Sequence, residues 1–164
     1  MNPGGNNVAK QDEAKREFTL QRIYTKDISF ETPNSPDIFK KGWKPESTVN
    51  LNTEVKKLDE NLFEIILTVT ITTKIETQTA YLAEVKQAGI FGIKGFPEQE
   101  VGPLMGSYCP NLLFPYVREV VSDLVTKGSF PQLVLQPVNF DAMYAQHQQA
   151  LAKKQAENPP AAKH

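Results

Sequence analysis

Residues 48–87, TVNLNTEVKKLDENLFEIILTVTITTKIETQTAYLAEVKQ, decide the fold. Over Leu62–Thr73 the side chains Phe63, Ile65, Leu67, Val69 and Ile71 recur at every second position, the period that sends alternate residues to opposite faces of a sheet. Thr48–Lys57 repeats the pattern through Val49, Leu51, Thr53 and Val55, and Thr77–Gln87 sets Tyr81, Ala83 and Val85 against Leu82, Glu84 and Lys86. The polar turn Leu58-Asp59-Glu60-Asn61 joins the first two runs, and Lys74-Ile75-Glu76 joins the second to the third. Three strands so connected form an antiparallel meander.

Working outward, Phe18–Glu31 supplies another alternating strand, with Phe18, Leu20, Tyr24, Ile28 and Phe30 on even positions and Ile23 as the exception. Its link to the meander, residues 32–46, carries Pro33, Pro36 and Pro45 with Phe39 and Trp43, too long for a hairpin and suited to a crossover. A long return of this kind predicts a Greek-key order.

Downstream, Ala88–Pro97 spaces Gly89, Gly92 and Gly95 among Ile90, Phe91, Ile93 and Phe96, which reads as a bendable apolar loop. A helical region follows over about Glu98–Lys127, kinked in its first half by Gly102, Pro103, Gly106, Pro110 and Pro115. In its second half Leu113, Tyr116, Val117, Val120, Val121, Leu124 and Val125 make a wide apolar stripe ending at Lys127-Gly128. Asn139 is the expected N-cap of a last helix bearing Phe140, Met143, Tyr144, His147 and Leu151 on one face. The expected class is α+β: a four-stranded antiparallel Greek-key sheet, then a long kinked helix and a C-terminal helix.

The 164 residues suffice for one domain, expected over 18–156. Residues 1–17 and 157–164 are polar and rich in Gly, Pro or Ala, the composition of a disordered extension and a flexible tail. Net charge is −1, which gives no electrostatic basis for nucleic-acid binding, and a charged partner of the acidic body is expected to be basic. A lone Cys109 makes no internal disulfide, and neither a signal pattern nor a membrane span is present, so the expected compartment is the cytoplasm.

Little in the chain suits catalysis. Its histidines number two, and His147 has no ligand-spaced His or Cys partner, so it reads as the edge of a packed helix face. Cys109 has no histidine near it in sequence and reads as a small buried hydrophobe. Asp59-Glu60 and Glu98/Glu100 read as solvated charge. Asp27 and Glu31 instead share the wet face of the first strand, and Leu82 and Glu84 that of the fourth, an acidic face with one leucine that fits a basic partner. The aromatics Trp43, Phe39, Phe91, Phe96, Phe140 and Tyr144 are read in two ways: as cover for the sheet, the usual fate of such residues, or as the lining of a groove where binding depends on contact area rather than a hydrogen-bond code. No catalytic residue, metal or cofactor is expected. The competing reading is a small-molecule-binding or hydrolytic domain with its ligand under the Gly-punctuated loop, which requires polar groups that Ile90, Phe91, Ile93 and Phe96 do not supply.

The blocks Gln21–Glu31, Gly89-Ile90-Phe91, Tyr108–Tyr116, Phe130–Leu133 and Pro137–Ala142 together resemble SecB, the bacterial protein-export chaperone. The resemblance runs from about Leu20 to Tyr144. It implies a cytoplasmic homotetramer, a dimer of dimers with its long helices packed between subunits, that holds unfolded precursor polypeptides without ATP. It further implies delivery of those clients to the translocation ATPase SecA through Asp27, Glu31, Leu82 and Glu84. Client grooves would draw on Trp43, Val49, Leu51, Phe91, Phe140 and Tyr144. Neither nucleic-acid binding nor membrane insertion is implied. The Lys- and Ala-rich tail departs from the acidic tails common in the family, and Ala83 stands where relatives often carry cysteine. A relative specialised for a toxin–antitoxin pair would present the same sheet with a different client.

Overall fold

A computed structural model describes residues 15–158. Four antiparallel strands, β1 (Glu17–Glu31), β2 (Pro45–Asp59), β3 (Leu62–Ile75) and β4 (Gln78–Lys94), form one sheet in the order β1-β4-β3-β2. The meander and its crossover are therefore present as the Greek key. After the sheet come α1 (Glu98–Pro103), a wide π-type turn (Leu104–Tyr108), α2 (Cys109–Lys127) and α3 (Phe140–Glu157).

The core lies between one face of the sheet and α2. Ile65, Leu67, Val69 and Ile71 of β3, with Ala83, Val85 and Phe91 of β4, meet Leu113, Val117, Val121 and Val125 of α2, all of them buried. The four α2 residues recur every fourth position, so they form a single ridge, and each such burial is worth about 1.5–3 kcal/mol. The expected stripe is wider than this ridge. Tyr116 is 49% exposed, and Val120 and Leu124 are half-buried, packed against the edge of this core.

Two expectations need correction. Ala88–Lys94 is not a loop: β4 continues to Lys94 and is hydrogen-bonded on both sides, Gly89 opposing Ile23 of β1 and Ile65 of β3. A ligand site under a Gly-rich loop accordingly has no loop to form it. In β1 the alternation is broken by bulges between Leu20 and Arg22 and between Thr25 and Asp27. Each bulge adds one residue and exchanges the faces. Ile23 thereby joins the core side, Tyr24 passes to the outer side, and after the second bulge Asp27, Ser29 and Glu31 return to the outer side. The sequence exception at Ile23 is the trace of these bulges.

The expected kinks are absorbed within the chain of helices. Gly102, Pro103 and Gly106 fall around the π-type turn, and Pro110 occupies the first turn of α2, where its missing N–H costs little. The stop of α2 is a Schellman motif: Phe130 N donates to Val125 O (3.2 Å), Ser129 N donates to Thr126 O (3.0 Å), and Ser129 takes the left-handed conformation at φ 66°. Gly128 is needed for space, since a Cβ there would stand 2.7 Å from Cζ of Phe30. Strand order begins at Glu17, one residue before the expected domain start. Most of the expected N-terminal extension and the tail from 159 onward lie outside the described residues.

Candidate functional site

Two surfaces stand on opposite faces of the sheet. On the core face, β2 lies at the sheet edge beyond the reach of α2, and its inward side chains stay partly open. Val49 and Val55 are 39% and 46% exposed. Leu51, Thr53 and Val55 form one wall of an open groove of about 350 Å³. Its floor is Gly102, Met105 and Gly106, and its other wall is Phe140, Met143, Tyr144 and His147 of α3. Apart from His147 and Tyr144 this lining holds no titratable group, so the groove offers contact area without a fixed charge to satisfy.

Near the crossover a second apolar feature is built by the Schellman cap, which delivers Phe130 to the sheet. Its ring lies 5.0 Å from Tyr81, 5.2 Å from Phe39 and 5.8 Å from Trp43. Such offset and tilted pairs are favoured by the aromatic quadrupole. The crossover is tied down at three points. Ile38 is buried at 1% exposure, Asn34 Nδ2 donates to Thr79 O (2.9 Å), and Lys41 Nζ pairs with Glu76 (3.1 Å). Phe39 and Trp43 nevertheless remain 48% and 38% exposed.

Of the expected groove residues, Leu51, Phe140 and Tyr144 line the α3 groove, Trp43 belongs to the aromatic cluster, and Val49 lies on the same face of β2 as Leu51. Phe140 is itself nearly buried, edge-on to Phe114 at 5.7 Å. Phe91 is elsewhere. Its side chain has no exposure and packs in the core with Phe18 at 5.8 Å, so it lines neither feature. Sequence reasoning missed Met105, the floor glycines and Phe130; a helix-stop signal two residues before Phe130 was the available clue.

The outer face is polar. Across the β1–β4 ladder Asp27 opposes Lys86, Ser29 opposes Glu84, and Glu31 opposes Leu82, so all four expected docking residues share one patch. Glu31, Leu82 and Glu84 border a shallow 200 Å³ depression, and Thr70 Oγ1 donates to Glu84 at 3.1 Å. Farther along this face the first bulge brings Tyr24 against Glu64, which accepts from the Tyr24 hydroxyl and from Lys26 Nζ (2.8 Å). The ammonium of Lys26, then the Tyr24 hydroxyl, hold the Glu64 carboxyl below its ordinary value; burial, then the bond to Glu64, pushes Tyr24 up to about 12.

Cys109 is fully buried, and burial pushes its thiol up to about 12, so at neutral pH it holds its proton and is no nucleophile. Among the described residues no cluster of three or more His, Cys, Asp or Glu could hold a metal, and no helix is long and apolar enough to cross a membrane.

Residues 11–151 match the model of the family described as preprotein translocase subunit SecB. The chain belongs to the SecB family. A protein-export protein SecB of Methylococcus capsulatus is 57% identical over 155 residues, covering 94% of this chain and 98% of that protein. The SecB of Alcanivorax borkumensis is 59% identical over 138 residues, 82% of this chain and 88% of that one. In fold, the chain resembles a SecB-like chaperone of Mycobacterium tuberculosis solved with a ChAD peptide from the HigA1 antitoxin. That match has a TM-score of 0.63 at 19% identity, covering 74% of this chain and 90% of the other. SecB membership makes the chain a protein-export chaperone.

Proposed function

We propose that this chaperone is an ATP-independent holdase of the cytoplasm that binds unfolded precursors along the open apolar face of β2 and passes them to SecA through the outer patch. The observation that carries the reading is the separation of the two surfaces: an apolar strip from Trp43 through Val49 and Leu51 to Tyr144 on one face, and Asp27, Glu31, Leu82 and Glu84 on the other. A client held on the first face leaves the second free for handover.

The physical basis is contact area. An unfolded client gains about 25 cal/mol for each Å² of apolar surface it buries, before ordering costs are subtracted. A chain that folds quickly hides that surface and escapes, which makes selection kinetic. Among the described residues β2 is also an edge strand, paired only with β3, so the edge it leaves open there can add main-chain hydrogen bonds to an extended segment. The second flank of α2, with Tyr116 and Val120, suits helix packing between subunits of a homotetramer, and several grooves on one particle raise avidity without a single tight site. The acidic outer patch suits a basic element of SecA.

The test is charge reversal at Glu84. Glu84→Lys should weaken SecA binding by roughly tenfold or more while leaving the affinity for an unfolded precursor unchanged. Parallel loss of both would contradict two separate surfaces.

A further inference from the structure

The groove floor contains a fitted seat. Gly102 lies in the last turn of α1 and Gly106 in the π-type turn, so the widened turn sets two glycines four residues apart beneath α3. Tyr144 of α3 rests on both. A Cβ at Gly102 would stand 2.5 Å from the Tyr144 hydroxyl oxygen, and a Cβ at Gly106 would stand 2.5 Å from Cδ2 and 2.6 Å from Cε2 of the ring. Real side chains do not approach so closely, so the ring lies where only glycine leaves room. Neither glycine has a left-handed backbone, which leaves close approach as the reason for both.

The rest of α3 has few other holds. Phe140 is buried against Phe114, and the Ser107 hydroxyl donates to Asp141, so the helix is anchored at its first turn. From Ala145 to Glu157 every residue is exposed. Tyr144 is therefore the last contact that fixes the angle of α3 over the floor, and the opposite wall is Leu51, Thr53 and Val55.

We propose that Gly102 and Gly106 are positioning residues that seat the Tyr144 ring and so set the width of the groove between α3 and β2. The inference rests on the groove's role as the client site. Filling the seat lifts α3 and drives the ring into the space the client uses.

The experiment is a double-mutant cycle on the full-length protein with Gly106→Ala, Tyr144→Ala and the pair, with reduced and carboxymethylated α-lactalbumin as a permanently unfolded probe. Hydrogen exchange of the α3 amides is followed in parallel. Gly106→Ala should weaken probe binding by about tenfold and speed exchange across α3 by a similar factor, effects opposite in sign to the ordinary helix preference for Ala over Gly. The pair should bind as Tyr144→Ala alone, because the added methyl has nothing left to displace. Wild-type affinity and exchange in Gly106→Ala, or strictly additive losses in the pair, overturns the seat. Failure of the wild-type protein to bind the probe overturns the client reading instead, and the exchange arm still decides the seat.

Discussion

Glu64 carries a charge on a side chain that is almost buried, and its geometry explains why. Lys26 Nζ and the Tyr24 hydroxyl both reach it from β1, and Lys56 faces it from β2, where the two are paired in the ladder. Because the folded carboxyl titrates below its ordinary value of 4.5, Glu64 adds stability that is whole above that pH and is lost as pH falls through the folded value. Lys26 is 41% exposed, so solvent screening moderates the pair. Glu64→Gln should lower unfolding stability at pH 7 by about 1–3 kcal/mol, and urea titrations should show the gap to the wild type closing below pH 4.5. A gap independent of pH would contradict a charged Glu64. The sequence did not single out this residue. Its partner Tyr24 reads as a core residue until the bulges are known, and a bulge has no composition of its own.

At the scale of elements, regular periodicity was legible and its interruptions were not. The β2–β3 hairpin, the β1 to β2 crossover, the Lys127 stop of α2 and the Asn139 cap, whose side chain accepts from Ala142 N at 3.0 Å, all follow from residue pattern. The end of β4 does not. Gly89 and Gly92 weaken a strand locally, yet ladders on both sides supply hydrogen bonds that local propensity cannot weigh. At Gly89 the missing side chain has a use: a Cβ there would meet Cε2 of Phe91 at 2.6 Å and Cδ2 of Leu113 at 3.1 Å. Phe91 is thus a core residue folded over its own strand, which removes it from the groove despite its place among the expected groove residues. Gly89→Ala should cost about 1–3 kcal/mol by overpacking. Gly42→Ala, where nothing lies within 4 Å, serves as the control and should stay within about 0.5 kcal/mol. Equal midpoints for the two variants would argue against this packing.

Across the whole molecule, the outer patch was legible in advance because the second bulge restores the parity of Asp27 and Glu31 relative to the meander. The groove was legible only in part. Leu51 and Val49 follow from alternation on β2, whereas Met105 and the floor glycines depend on how α3 returns across the turn before α2, which no local period encodes. The same arrangement leaves α2 with a flank at the open edge of the core, where Tyr116 is exposed and Val120 half-buried. If that flank holds the proposed tetramer together, Tyr116→Asp should reduce the particle mass seen by light scattering while the circular dichroism of the sheet persists. An unchanged mass would place the subunit contact elsewhere.

The most direct test of the holdase reading is to dilute a slow-folding precursor from denaturant, with and without this protein and without ATP, and follow aggregation while light scattering reports the particle mass. On the holdase reading, aggregation is suppressed by a particle of four chains, and the same precursor does not bind once it has folded. Undiminished aggregation, or equal binding of the native form, would contradict it.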